Sequence, residues 1–157
     1  MSRHTLALIV NNKAGVLSQI ASLFTRRGYN IDTLSVGKTQ TKEFSRMTIT
    51  FKCNKETFEQ IIKQFNKLID VIKVIEMPQS KSIYRELILI KIKINKDNRS
   101  DVLDIVNIYK GKILNFTKKN VIIELTGNKD KIDAFNSLIK SYEIKELVRT
   151  GFTGLLK

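Results

Sequence analysis

The fold is decided by residues 11–31, which read NNKAGVLSQIASLFTRRGYNI. Apolar residues at helical spacing begin at Val16, directly after Gly15, and end before Gly28. An apolar strand precedes this stretch, and a strand that enters a helix through a glycine turn presents free N–H groups, here those of Gly15, Val16 and Leu17. The pattern predicts a turn that can hold a small anion, although a tight turn without a ligand would also favour glycine.

The first half of the chain follows the order strand, helix, strand, strand, helix, strand. Strands are predicted over residues 4–10, 31–38, 44–52 and 71–76, and helices over residues 16–27 and 55–68. Each helix has its apolar residues on one side, so the two helices should cover one face of a four-stranded sheet. This is a ferredoxin-like arrangement, and it leaves the other face or an edge for a partner.

The second half repeats this order after a linker. Residues 78–83 hold the only proline among small polar side chains, so they are the predicted boundary between domains 1–77 and 84–157. Strands are predicted over residues 84–94, 112–117, 120–127 and 144–149, and helices over residues 99–109 and 128–141. The predicted fold class is α+β, with two tandem ferredoxin-like βαββαβ domains. Residues 150–157 combine apolar side chains with two glycines and should dock either onto a partner or onto their own domain.

Composition limits the classes of partner. The 157 residues are 42% hydrophobic, which is enough for a core in one domain or in two small ones. The net charge of +13 raises nucleic acid or an anionic membrane as partners. The lysines are scattered, however: the first 77 residues carry 12 basic and 6 acidic side chains, and the remaining 80 carry 16 and 9. We interpret the charge as a solvated lysine surface and expect neither partner.

Catalytic groups do not converge in the sequence. His4 is the only histidine and lies in the opening strand, and Cys53 is the only cysteine, so a disulfide or a metal-binding cluster is not expected. No nucleophile has a base at motif spacing, and no glycine loop of the phosphate-binding type occurs. We therefore expect no catalytic residue, no metal and no cofactor on this chain. No membrane span or signal peptide is evident, which indicates the bacterial cytoplasm, or the plastid stroma for a plastid-encoded protein.

A free amino acid fits the opening turn best. Its carboxylate can take the helix N-terminal amides, while its ammonium finds backbone carbonyls and amide oxygens. Asn12 and Asn30 offer such polar contacts, and Val16, Leu17 and Ile31 offer an apolar wall. Each also has an ordinary structural use, since asparagine caps helices and bridges turns, and apolar side chains pack in cores. The first turn of the second half has no glycine, so we expect no second site there.

The chain resembles the regulatory small subunits of acetolactate synthase, also called acetohydroxyacid synthase, whose N-terminal module is an ACT domain. The resemblance is carried by Asn12 with Gly15-Val16-Leu17, LFTRRGYNI (residues 23–31), LSVG (34–37), SRMTI (45–49), KLIDV (67–71), RELILIKI (85–92), DAF (133–135) and RTGFTGL (149–155). The glycine turn is common to many ACT domains, whereas RRGYNI and SRMTI are much more specific. The similarity covers nearly the whole chain.

The resemblance implies a non-catalytic subunit that binds the large catalytic subunit, raises its activity and makes it sensitive to valine or another branched-chain amino acid. It also implies that thiamine diphosphate, magnesium and a flavin (FAD) belong to the catalytic subunit. The effector would lie between the paired ACT domains of a homodimer. By position, the turn of one protomer contributes Asn12, Ala14, Gly15, Val16 and Leu17, and the other protomer contributes Asn30 and Ile31. The residues Lys13-Ala14 depart from the family's turn, which leaves open both the effector's affinity and whether feedback is retained. An ACT regulator of another partner and a basic nucleic-acid-binding protein are the alternatives.

Overall fold

The computed structural model describes residues 1–157, which divide into two compact units. The first unit comprises Met1–Ile83 with Phe152–Lys157, and the second comprises Tyr84–Gly151. The first begins with β1 (Ser2–Asn11), α1 (Val16–Arg27), β2 (Ile31–Lys38), β3 (Phe44–Cys53), α2 (Lys55–Asn66) and β4 (Val71–Glu76). These strands form an antiparallel sheet in the order β2-β3-β1-β4, the ferredoxin-like arrangement that the sequence predicts.

The core of the first unit lies between this sheet and its two helices. Alternate residues of a strand point to one face, and the aliphatic residues of β1 that face the helices, like Met47, Ile49 and Phe51 of β3, are fully or almost fully buried. They pack against the apolar stripes of α1 and α2. The cluster includes Leu6, Leu8, Val10, Ile20, Phe24, Met47, Ile49, Phe51, Ile61 and Phe65.

Two glycines set the limits of α1. Gly15 precedes the helix with φ +87°, and Gly28 follows it with φ +69°, both in the left-handed region that favours glycine. The Gly28 N–H donates to the carbonyl oxygen of Thr25 at 3.1 Å, which closes the last turn. The basic side chains Arg26 and Arg27 lie in that turn, where the helix dipole favours positive charge.

The second unit repeats the layout. It contains most of β5 (Ser82–Lys93), then α3 (Arg99–Ile108), β6 (Lys112–Phe116), β7 (Asn120–Gly127), α4 (Lys129–Ile139) and β8 (Ile144–Arg149). The strands form an antiparallel sheet in the order β6-β7-β5-β8, and a separate apolar core joins them to α3 and α4. The α+β prediction of two βαββαβ layouts is confirmed. None of the helices is long and apolar enough to cross a membrane.

An ion pair is built into the sheet of the second unit. The side chain of Glu86, on β5, is fully buried, and that of Arg149, at the end of β8, is 39% exposed. The guanidinium donates from Nε to Oε1 at 2.9 Å and from Nη2 to Oε2 at 2.8 Å. This two-bond geometry satisfies both oxygens of a carboxylate that would otherwise be buried without a counterion.

The C-terminal tail belongs to the first unit. Phe152–Lys157 group with Met1–Ile83, although they follow the second unit in the chain. A short strand, β9 (Thr153–Leu156), pairs with β5, whose first two residues belong to that same unit. The Lys157 N–H also donates to the carbonyl oxygen of Lys81 at 2.9 Å.

Two arginines attach the tail to the first sheet. Arg46 donates from Nη2 to the carbonyl oxygen of Gly154 at 3.0 Å, and the guanidinium carbon of Arg3 lies 5.3 Å from the centre of the Phe152 ring. Both arginines alternate with core residues along their strands, so they lie on the sheet face that points away from the helices. Phe152 is nearly fully buried there. The tail therefore covers part of the face that the sequence left open to a partner.

Candidate functional site

The N-terminus of α1 has no side-chain cap. Its first helical hydrogen bond runs from the Gln19 N–H to the carbonyl oxygen of Gly15 at 3.0 Å, and no side chain accepts from the earlier amides. Asn54 and Asn128 accept N–H groups in the first turns of α2 and α4, whereas α3, like α1, has no side-chain cap. Uncapped amides at a helix N-terminus favour an anion. The turn therefore offers free backbone N–H groups, and a carboxylate bound to them stays a prediction.

Asn12 joins this turn to the β2–β3 hairpin. Its backbone N–H donates to the carbonyl oxygen of Glu43 at 2.7 Å, and its side-chain Nδ2 donates to that of Lys42 at 3.0 Å. The hydroxyl of Ser45 donates to Asn12 Oδ1 at 3.1 Å. A primary amide has a second N–H and a second lone pair, so Asn12 can hold the turn and still contact a ligand.

Asp70, which precedes β4, contacts side chains on the other side of the turn. Its carboxylate oxygen Oδ1 accepts from Asn11 Nδ2 at 3.0 Å and lies 2.8 Å from Lys13 Nζ. Hydrogen bonds from Asn11 and Lys13 hold the pKa of the Asp70 carboxyl below its usual value, so the group is ionised at neutral pH. Only 8% of its side chain is exposed. Sequence reasoning missed Asp70, although a lone acid between Ile69 and Val71 is a recognisable signal.

The apolar residues of the predicted site have different environments. Val16 is buried in the core of its own unit, and Ile31 packs against the same core while pairing with Phe51. Ala14 and Leu17 are exposed, with 45% of Leu17 accessible. Leu17 therefore has the free apolar surface that a branched side chain could contact, whereas Val16 mainly fixes the helix against the sheet.

Asn30 lies at the other end of α1 from the turn. The helix has 12 residues, and at about 1.5 Å per residue its ends are roughly 18 Å apart. The exposed side chain of Asn30 donates to Asp32 Oδ1 at 3.4 Å. Within one chain, Asn30 and Ile31 are thus separated from Gly15 by the length of the helix.

The two residues considered for chemistry have ordinary surroundings. The His4 ring stacks on Phe58 with its centre 4.1 Å away, and its Nε2 lies 2.8 Å from the hydroxyl of Ser2. Cys53 is fully buried at the end of β3, and burial raises the pKa of its thiol. Both residues support packing in the first unit.

Comparison with known families matches both parts of the chain. Residues 6–73 match the model described as the AHAS small subunit-like ACT domain, and residues 85–157 match the model of the small subunit of acetolactate synthase. The chain is 44% identical over 155 residues to a probable acetolactate synthase small subunit from Archaeoglobus fulgidus, covering 99% of this chain and 97% of that protein. It is 40% identical over 152 residues to an acetolactate synthase small subunit from Mycobacterium bovis, covering 97% and 90%.

A solved structure gives the same result. The crystal structure of the acetolactate synthase small subunit from Thermotoga maritima superposes with a TM-score of 0.93 at 35% identity, covering 100% of this chain and 98% of the other. The similarity therefore extends over both units and the tail.

Proposed function

The chain belongs to the family of acetolactate synthase small subunits, the regulatory subunits of that enzyme, and from this premise we propose what it does there. It binds the large catalytic subunit, raises its activity and makes it sensitive to valine or a related branched-chain amino acid. The observation that carries the regulatory part is the uncapped glycine turn of the ACT domain, where no side chain accepts the first amides of α1. Thiamine diphosphate, magnesium and FAD belong to the catalytic partner in this proposal.

The effector's carboxylate binds at the amides that follow Gly15. Asn12 is fixed beside them by its contacts with the hairpin, and the exposed Leu17 lies one residue into the helix. Asn30 and Ile31 complete the site from a second copy, because the length of α1 separates them from the turn of their own chain. The proposed site is therefore shared between two protomers that meet through their first units.

We expect the purified chain to have no acetolactate synthase activity and to raise the turnover of the matching catalytic subunit. The physical reason is that its only histidine and only cysteine are both used in packing. The measurement is acetolactate formation from pyruvate with thiamine diphosphate, magnesium and FAD, for the chain, the catalytic subunit and their mixture. Pyruvate consumption by the chain alone would contradict the proposal, as would a mixture no faster than the catalytic subunit.

We also expect a homodimer at micromolar concentration, because the site needs residues from two copies. Light scattering should give about twice the chain mass of 18.1 kDa, with and without valine. A monomer under both conditions would contradict the shared site.

Replacement of Asn30 by alanine serves as a second test: it should weaken valine inhibition although Asn30 is at the far end of its own helix.

A further inference from the structure

Asp70 is a buried anion whose one charged partner, Lys13, lies mostly in solvent. Its side chain is 8% exposed, whereas that of Lys13, the cation paired with it, is 61% exposed. Lysine reaches the carboxylate on a flexible stem, and an ion pair with one side in solvent contributes little to stability. Another ammonium group could replace that of Lys13 without disturbing the core.

The position of this pair bears on the proposed effector site. Lys13 lies in the β1–α1 turn, two residues before Gly15, and Asp70 also holds the neighbouring Asn11 by a 3.0 Å hydrogen bond. The turn thus has uncapped amides that favour a carboxylate, and its Lys13 side chain contacts a buried carboxylate that favours an ammonium group. A free amino acid carries both groups on one carbon atom.

We infer that Asp70 recognises the ammonium group of the effector, and that Lys13 is an internal competitor whose own ammonium occupies this position until the ligand displaces it. The inference rests on the proposed function, since it concerns the same site. It makes Asp70 a specificity-determining residue that separates amino acids from other small carboxylates. It also gives a role to Lys13.

Two substitutions should move affinity in opposite directions. Lys13→Met keeps the apolar stem and removes the competitor, so valine should bind about two- to fivefold more tightly. Asp70→Asn keeps the shape and removes the charge, so valine should bind about tenfold or more weakly. In the double variant, the Lys13 substitution should lose its effect, because no charged group remains to compete for.

The measurement is calorimetric titration of the full chain with valine, leucine and isoleucine. Lys38→Met is the matched control, because it removes a positive charge from an exposed lysine of the same unit that makes no ion pair. Its affinity should equal that of the wild type. Thermal melts establish folding. If Asp70→Asn does not fold, Lys13→Met alone still tests the inference, because it shows whether removal of the lysine charge tightens or weakens valine binding.

The results distinguish an error in the role of Asp70 from an error in the proposed effector site. If the wild type binds an amino acid and folded Asp70→Asn binds it equally well, or if Lys13→Met weakens binding or leaves it unchanged, the inference is wrong and the effector site stands. A purely structural ion pair would give those results, because loosening the turn does not tighten a ligand. If neither the wild type nor Lys13→Met binds any of the three amino acids, the effector proposal itself is wrong.

Discussion

Replacement of Gly15 by aspartate is expected to abolish inhibition by valine while leaving activation of the catalytic subunit largely intact. Gly15 has φ +87°, and a Cβ built on it would meet no atom within 4 Å, so the new side chain extends into open space at the start of α1. There its carboxylate would oppose that of the ligand, and like charges in contact weaken binding by at least about tenfold. The measurement is a valine titration of the reconstituted enzyme.

The matched control for this variant is Gly15→Asn. Asparagine has nearly the same shape as aspartate and tolerates a positive φ better than most residues, but it carries no charge. We expect it to retain part of the inhibition, which would assign the larger loss in Gly15→Asp to charge. Thermal melts of both variants exclude unfolding. A folded Gly15→Asp enzyme with wild-type inhibition would show that the effector binds elsewhere, and a wild type insensitive to every branched-chain amino acid would show that feedback is absent.

The largest expected loss of stability follows from Arg149→Ala. The substitution leaves the Glu86 carboxylate buried without its two hydrogen bonds. Breaking a buried pair costs about 3–5 kcal/mol of unfolding free energy, and we expect about 3 because the Arg149 side chain is 39% exposed. In a unit of this size, that loss lowers the melting midpoint by roughly 10 °C or more. Urea titration of the full chain measures it.

Arg85→Ala is the control for the loss of a nearby arginine. Its side chain is exposed and donates to the carbonyl oxygen of the adjacent Tyr84, so its removal should change stability by less than about 0.5 kcal/mol. The double variant Glu86→Met, Arg149→Met should recover much of the loss, since it leaves no unpaired charge. Equal stability of Arg149→Ala and the wild type would mean that water reaches Glu86 in solution.

Local pattern was sufficient to predict most of the fold. The spacing of apolar residues predicts a βαββαβ order for both halves. Gly15 and Gly28 predict the ends of α1, and the structure has the helix between the same two glycines. The family followed from RRGYNI and SRMTI, and the relatives confirm it. These features depend on neighbouring residues, which is why a single sequence shows them.

The features that were missed depend on distant residues. Asp70 and Asn11 are 59 positions apart in the sequence, and Arg46 and Gly154 are 108 apart. Neither contact produces a periodic pattern from which it could be predicted. The sequence predicts Asn12 as a ligand contact, but not its hydrogen bond with Ser45, because that bond depends on where the β2–β3 hairpin lies. The composition of a site is readable from sequence, whereas the partner of each side chain depends on the register of the strands.

The tail has a consequence for how the protein is made. The first unit consists of Met1–Ile83 and Phe152–Lys157, so its final strand leaves the ribosome only after the whole of the second unit. At roughly 5–20 residues per second, the nascent first unit waits several seconds with the site of Phe152 uncovered. A chain truncated after Ile83 would lack this segment, and the site of Phe152 would stay uncovered. Expression of the ACT domain by itself therefore calls for the Phe152–Lys157 segment, fused through a linker or supplied as a peptide.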